Sequence, residues 1–303
     1  MIEVNKLTKS YGDFTALNNF SISIPKGSIY GILGPNGAGK TTFLRILNQI
    51  MPPTSGGITW DGETLNRDHL VKIGYLPEER GLYKEMKVDD QLIYLAQLRG
   101  LTAADAKEKM NFWFDRLNVE GWGGKKLRDL SKGMAQKIQF VSTVLHDPEL
   151  LILDEPFSGF DPINANLIRD EIIRLNKEGA TVLFSTHRME SVEDLCSNIC
   201  LIHQSNKILD GNKQEVKNQF RTKEYVLEVS HPEPLRFDEP IELISLEEKD
   251  NIQRYHLGLK ALESPFELLK TLPESIDFYG FRENIPSMND IFINAIQQTQ
   301  NHE

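Results

Sequence analysis

Nine consecutive residues, Gly34-Pro-Asn-Gly-Ala-Gly-Lys40-Thr41-Thr42, constrain the fold more than any other stretch of this chain. They fill the pattern G-x-x-x-x-G-K-[ST] at every position. The apolar run 29–33 before them predicts a buried strand, and the apolar spacing of 42–50 after them predicts a helix. A strand that turns through glycines into a helix is an α/β element, and the turn has a chemical purpose. Gly34, Gly37 and Gly39 let the backbone fold tightly, so that successive N–H groups of the loop, which also holds Pro35, Asn36 and Ala38, face phosphate oxygens. The helix start adds its positive dipole end. Lys40 is placed to reach β- and γ-phosphates, and Thr41, followed by Thr42, to offer a hydroxyl to Mg²⁺. The segment predicts a nucleoside triphosphate site.

At 303 residues the chain has room for a large core and for more than one domain. No apolar run approaches the roughly 18 residues that a spanning helix needs, and the start, Met-Ile-Glu-Val-Asn-Lys, has no signal-peptide core. The expectation is a protein that neither crosses a membrane nor is exported through a signal peptide. The net charge of −10 is uneven. Residues 221–303 carry 8 Lys+Arg against 16 Asp+Glu, a balance of −8, which leaves −2 for residues 1–220. Neither part has the basic excess that nucleic acid or anionic lipid requires, so no nucleic-acid partner is expected. Cys196 and Cys200, with His203, lack a fourth neighbour for a metal site. They are expected as small buried residues in a reducing compartment.

Apolar patterning divides the chain. Residues 2–7, 21–24, 29–33 and 71–76 predict strands, with turns at 25–27 and 52–57. Residues 88–98 and 103–117 have helical spacing, which predicts a helical subdomain at about 85–145. The runs 150–153 and 181–184 predict parallel strands buried on both faces, flanking a helix over 162–177 with proline in its first turn. Beyond about 220 the pattern weakens. Strands at 225–229 and 252–257 and helices at 264–272 and 288–297 suggest a small acidic α/β domain over 221–303, appended to a first domain over 1–220.

Further along lie two carboxylates and a histidine suited to nucleotide chemistry. Leu150-Leu-Ile-Leu-Asp154-Glu155 is a strand ending in paired acids. Asp154 suits a metal contact, and Glu155 suits polarising a water for attack on a γ-phosphate. His187 closes the second buried strand, at the end where ligands collect in open α/β sheets, and suits a hydrogen bond to phosphate or water. Ser131 is a good N-cap for the helix that follows Leu130, and Gly133 permits a close backbone approach.

These motifs, in this order over about residues 1–215, resemble the nucleotide-binding subunit of ATP-binding-cassette (ABC) transporters. The resemblance implies a P-loop ABC-type ATPase core with an antiparallel β edge and a helical subdomain, plus the small C-terminal domain. It matches Tyr11 to the family's adenine-stacking aromatic, and Leu130–Met134 to its leucine-serine-glycine-glycine-glutamine signature. Ser131 and Gly133 would then bind the γ-phosphate held by a second subunit, in a homodimer or with a second ATPase subunit. Asp161 matches the inter-subunit loop and His187 the switch histidine. Two departures stand out. Glu78 replaces the usual glutamine, keeping a metal or water contact as a charged acceptor, and the signature carries Lys132 and Met134. Both departures, with the appended domain, resemble the ATPases of sodium-extrusion and drug- or polysaccharide-type exporters. The implied activity is ATP hydrolysis, with Mg²⁺ held by Thr41, Asp154 and Glu78 and with Glu155, His187 and Glu78 as catalytic residues. The implied partner is a separate integral-membrane permease, docked on loop 78–87 and the helical subdomain, which would hold the subunit on the cytoplasmic face of the cell membrane. The competing class is a soluble ABC ATPase acting on ribosomes or DNA. Such proteins usually carry two cassettes, a long coiled coil or a zinc module, none of which is present in this sequence.

Overall fold

A computed structural model describes residues 1–79, 81–259, 264–273 and 275–300. Arg80, within the expected docking loop, and residues 260–263, 274 and 301–303, within the expected C-terminal domain, lie outside the described residues. The chain divides into two units. One is Met1–Lys213 with the last turns of the final helix, from Asn294; the other is Gln214–Ile293. The division falls just inside the short helix Lys213–Gln219, after its first residue.

The first unit contains two sheets. Strands β1 (Ile2–Tyr11), β2 (Phe14–Ile24), β4 (Ser55–Trp60) and β5 (Glu63–Thr64) form an antiparallel sheet in the order β2-β1-β4-β5. Strands β3 (Ile29–Leu33), β6 (Ile73–Leu76), β7 (Leu150–Asp154), β8 (Thr181–Thr186), β9 (Asn198–His203) and β10 (Asn206–Asn212) form the other, in the order β10-β9-β3-β8-β7-β6. All of its pairings are parallel except β10 with β9. Every residue of β3, β7 and β8 is buried, which explains the apolar runs 29–33, 150–153 and 182–184 within them. The core joins both sheets to α1 (Lys40–Leu47), with the rings of Phe20 and Phe43 5.0 Å apart.

Helices α2 (Val88–Leu98) and α3 (Ala103–Leu117) have the expected bounds, and with α4 (Lys132–Val144) they make the helical insertion. Thr102 caps α3 at one end, and a left-handed Asn118 ends it at the other. Two polar links tie α3 to its neighbours. Lys137 Nζ on α4 donates to Leu117 O at 2.9 Å. Arg116 forks onto Glu171 of α5 (Pro162–Lys177) at 2.9 and 2.5 Å, and Arg174 Nε also donates to Glu171 at 2.8 Å. The Arg174 guanidinium also lies over the rings of Phe112 and Trp113. Helix α6 (Met189–Leu195) precedes Cys196, and both cysteines are buried. Burial pushes the Cys196 thiol up to about 12, so it serves as a packing group beside Gly31.

Some boundaries differ from expectation. Residues 71–72 finish a 3₁₀ turn (Arg67–Lys72) capped by the Asn66 side chain, so the strand starts at Ile73. The first helix starts at Lys40 and stops at Leu47, before Ile50.

The second unit begins with the rest of α7 (Lys213–Gln219). Its antiparallel sheet has four strands where two were expected: β11 (Glu224–Ser230), β12 (Glu242–Lys249), β13 (Ile252–Gly258) and β14 (Asp277–Glu283), in the order β12-β13-β11-β14. Leu227, Val229, Tyr255, Leu257 and Leu268 form its core. The helix expected over 264–272 is only α8 (Phe266–Leu269). Lys270 and Thr271 bond back three residues instead of four, and the Thr271 hydroxyl takes Leu268 O, which ends the helix. Helix α9 (Met288–Gln300) starts where expected, and the Ser287 side chain receives the Asp290 N–H.

Candidate functional site

The glycine-rich loop is gripped between two strands. A Cβ on Gly34 (φ +150°) would sit 2.2 Å from Ile202 O of β9, and one on Gly39 (φ +115°) would sit 2.4 Å from Ala16 O of β2. Both contacts are with backbone, so no side chain fits there. Lys40 is 7% exposed, and its Nζ donates to Gly34 O at 2.7 Å and Pro35 O at 3.0 Å. Burial lowers its pKa, opposed by the carboxylates of Glu155, Asp154 and Glu78.

Strand β7 delivers both acids to this loop. Asp154 is 2% exposed; it accepts from Thr41 Oγ1 at 3.1 Å and from Ser185 Oγ. Burial raises its pKa, with those two bonds and Lys40 opposing. At Glu155 the backbone turns left-handed (φ +50°), an uncommon state for a side chain of this size. Its carboxylate is held by Thr186 Oγ1 (3.1 Å), His187 N (2.9 Å) and His187 Nδ1 (2.6 Å). An acid gripped at three points and 93% buried has little freedom to turn away from the loop.

Lys40, Thr41, Thr42, Asp154, Glu155 and Glu78 line one open cleft of ≈ 350 Å³ with Asn36, Gly37, Gly39 and Tyr11. Tyr11 is half exposed, with Lys9 Nζ over its ring at 5.1 Å and its hydroxyl on Met51 Sδ at 3.0 Å. Besides Gly34, Pro35 and Ala38 of the loop itself, four expected residues lie outside the lining. Ser131 caps α4 by accepting from Met134 N at 3.3 Å. A Cβ on Gly133 would meet open space, so none of the described residues makes the close approach expected there. Asp161 caps α5, accepting from the Ile163 and Asn164 backbone N–H groups at 3.0 Å. His187 holds Glu155 through Nδ1. Lys132 is exposed at its surface, yet its stem runs against Gly159.

Three residues join the site that sequence alone did not single out. Ser185 and Thr186 orient the acids; their strand-end position beside His187 was the available signal. Phe14, 61% exposed beside Tyr11 in the cleft wall, follows a tight turn and is an aromatic that packs no core.

A glycine loop with a buried lysine, facing an acidic pair across a parallel sheet, defines a P-loop nucleoside triphosphatase. Comparison with known proteins narrows that class. Residues 17–158 match the family model described as ABC transporter, and residues 211–296 match the C-terminal domain of DrrA1-3-like ATP-binding proteins. The chain is 41% identical over 296 residues, 98% of each chain, to the uncharacterized ABC transporter ATP-binding protein YhaQ of Bacillus subtilis (strain 168). It is 34% identical to the linearmycin resistance ATP-binding protein LnrL of the same organism, covering 71% of this chain and 70% of that one. Among solved structures, an ATP-binding subunit of an ABC transporter superposes with a TM-score of 0.68 at 27% identity, covering 73% of this chain and 93% of that one. The chain belongs to the ABC transporter family as an ATP-binding subunit, and it is an ATPase. Among the described residues, no helix is long and apolar enough to cross a membrane.

Proposed function

We propose that two copies of this chain form the motor of an exporter, bound through a separate integral-membrane permease to the inner face of the cell membrane. The observation that carries the reading is the division of the motif set. Phosphate loop, metal ligands and water-orienting acid share one cleft, whereas Ser131 lies outside it and exposed, and a Cβ on Gly133 would meet open space. Such a half-site suits head-to-tail pairing, in which each signature completes the other copy's cleft. The resistance role in the name of LnrL supports export.

Permease docking is supported by a second groove, of ≈ 560 Å³, between α2, α4 and the loop after β6. Leu95, Leu98 and Val71 make its rim apolar, with Leu98 and Val71 well exposed, and among the described residues no carboxylate lines it. A short helix with one apolar face fits a groove of this kind.

Within the cleft, the rings of Tyr11 and Phe14 provide a platform for adenine, and Lys40 and the loop N–H groups hold the phosphates. Thr41 Oγ1 and Asp154 Oδ2, 3.1 Å apart and with Glu78 nearby, are hard oxygen donors that suit Mg²⁺, whose charge would offset that of the phosphates. Glu155 orients a water and accepts its proton as the water oxygen bonds to the γ-phosphorus and the β–γ bridging oxygen leaves. His187 and Thr186 keep the Glu155 carboxylate aimed.

The test is the full-length Glu155→Gln variant. Steady-state ATPase should fall about 100-fold or more while ATP binding persists. Tagged variant, incubated with ATP and detergent-solubilised membranes of the source cell, should retain a polytopic membrane protein. Unchanged turnover would remove Glu155 from its role, and recovery of only ribosomal or DNA-associated proteins would overturn the transporter reading.

A further inference from the structure

The turn between β9 and β10 is built against local preference. Gln204 and Ser205 both have left-handed φ, 45° and 66°, and link His203 to Asn206, which pair with each other across the hairpin. Two-residue loops with positive φ at both positions favour Asn-Gly, Asp-Gly or Gly-Gly. Neither residue here is of those types. Strain of this sort persists where the surroundings hold it, and it clusters at functional sites.

What holds it is visible around Ser205, which is only 8% exposed. Its N–H donates to Ala38 O of the phosphate loop at 3.2 Å. Its carbonyl accepts from Asn18 N of β2 at 2.8 Å. Its hydroxyl donates to Thr15 O at 2.7 Å, and Thr15 follows directly on Phe14. Nearby contacts run the same way: Asn18 Nδ2 donates to Asn206 Oδ1 at 2.9 Å, and Ile202 O fills the space a side chain at Gly34 would take. One residue thus touches both the phosphate loop and the strand that carries the aromatic wall of the cleft. The bond to Thr15 is the only one of the three that depends on the identity of the side chain.

We propose that Ser205 is a positioning residue for the nucleotide, setting the distance and angle between the base platform and the phosphate cradle. The proposal rests on the reading that Tyr11 and Phe14 stack on the base. Without the hydroxyl, the start of β2 keeps its bonds at Asn18 but loses the tie at Thr15, beside Phe14, and the two halves of the nucleotide are presented less closely in register. A ligand with phosphates but no base needs the cradle alone, so its binding is indifferent to this link.

The experiment uses the full chain with Ser205→Gly and Ser205→Ala. Glycine keeps the left-handed backbone without strain, and alanine keeps the strain, so the effect they share is loss of the hydroxyl. Both should raise KM for ATP about fivefold, the equivalent of one lost hydrogen bond, while kcat falls less than twofold. Affinity for Mg²⁺-tripolyphosphate, measured by calorimetry, should not change. Tyr11→Ala and Phe14→Ala in parallel test the platform. If they leave KM unchanged, the stacking reading fails and the proposal with it. If they raise KM and the Ser205 variants do not, the proposal alone is overturned. Equal weakening of ATP and tripolyphosphate by the Ser205 variants would also overturn it, because a general loosening of the loop would then explain the result.

Discussion

His146 gives the first unit a pH-dependent weakness whose size follows from its surroundings. It follows α4 in the wall of the second groove, where its Nε2–H donates to Ile73 O at 3.1 Å. Burial first, then the nearby Arg99 cation, lowers its pKa from 6.5 to about 4, against the bond to Ile73 and the charge of Asp147. A depressed histidine binds its proton more readily in the unfolded chain. The stability it supports is therefore complete above pH 6.5 and is lost as pH falls towards 4. For this interval the loss is about 2 kcal/mol at pH 5 and about 3 kcal/mol at pH 4. His146→Gln keeps a donor for Ile73 O but removes the titration. Urea unfolding read by tryptophan fluorescence isolates the effect, because Trp60, Trp113 and Trp122 all belong to the first unit. The free-energy gap between wild type and variant should shift by about 3 kcal/mol between pH 7 and pH 4, in favour of the variant at the acid end. Parallel profiles would refute the argument by showing that His146 titrates alike in both states.

Two other variants probe the site and its scaffold. Asp154→Asn removes a carboxylate whose raised pKa means that ionisation opposes folding as pH rises through its folded value; thermal unfolding at pH 7 should move upward, while the Mg²⁺ concentration needed for turnover rises at least ~10-fold. Gly74→Ala puts a methyl 2.4 Å from Thr143 O and 2.9 Å from Pro148 Cγ, and it should cost about 1–3 kcal/mol in chemical denaturation without changing ATP affinity.

Elements that bury a face were legible; those held by backbone pairing were not. Strands β7 and β8 announce themselves because both faces are covered, and α3 because Ala106, Met110, Trp113, Phe114 and Leu117 fall on one buried side. Strand β12 has eight exposed residues, four of them charged, so its pairing with β13 leaves no alternation to read. In the site, residue types with a chemical task stood out: Lys40, Thr41, Asp154 and Glu155 converge as their motifs require. The residues that aim them did not. Ser185, Thr186 and Ser205 are common amino acids whose importance comes from long-range contacts, such as the 190 residues separating Ser205 from Thr15. Likewise, no pattern distinguishes a histidine facing phosphate from one whose Nδ1 already meets Glu155.

The fork of Arg116 onto Glu171 carries a mechanical meaning. A guanidinium clamped by two parallel bonds resists sliding and twisting alike, and Lys137 fastens the same end of α3 to α4. A push on the helical insertion should therefore reach α5 at Glu171 through this fork, with little lost to sliding of α3. The insertion behaves as a lever bolted to the shaft it turns, and the stiffness of that bolt sets how much of a displacement at one end survives to the other.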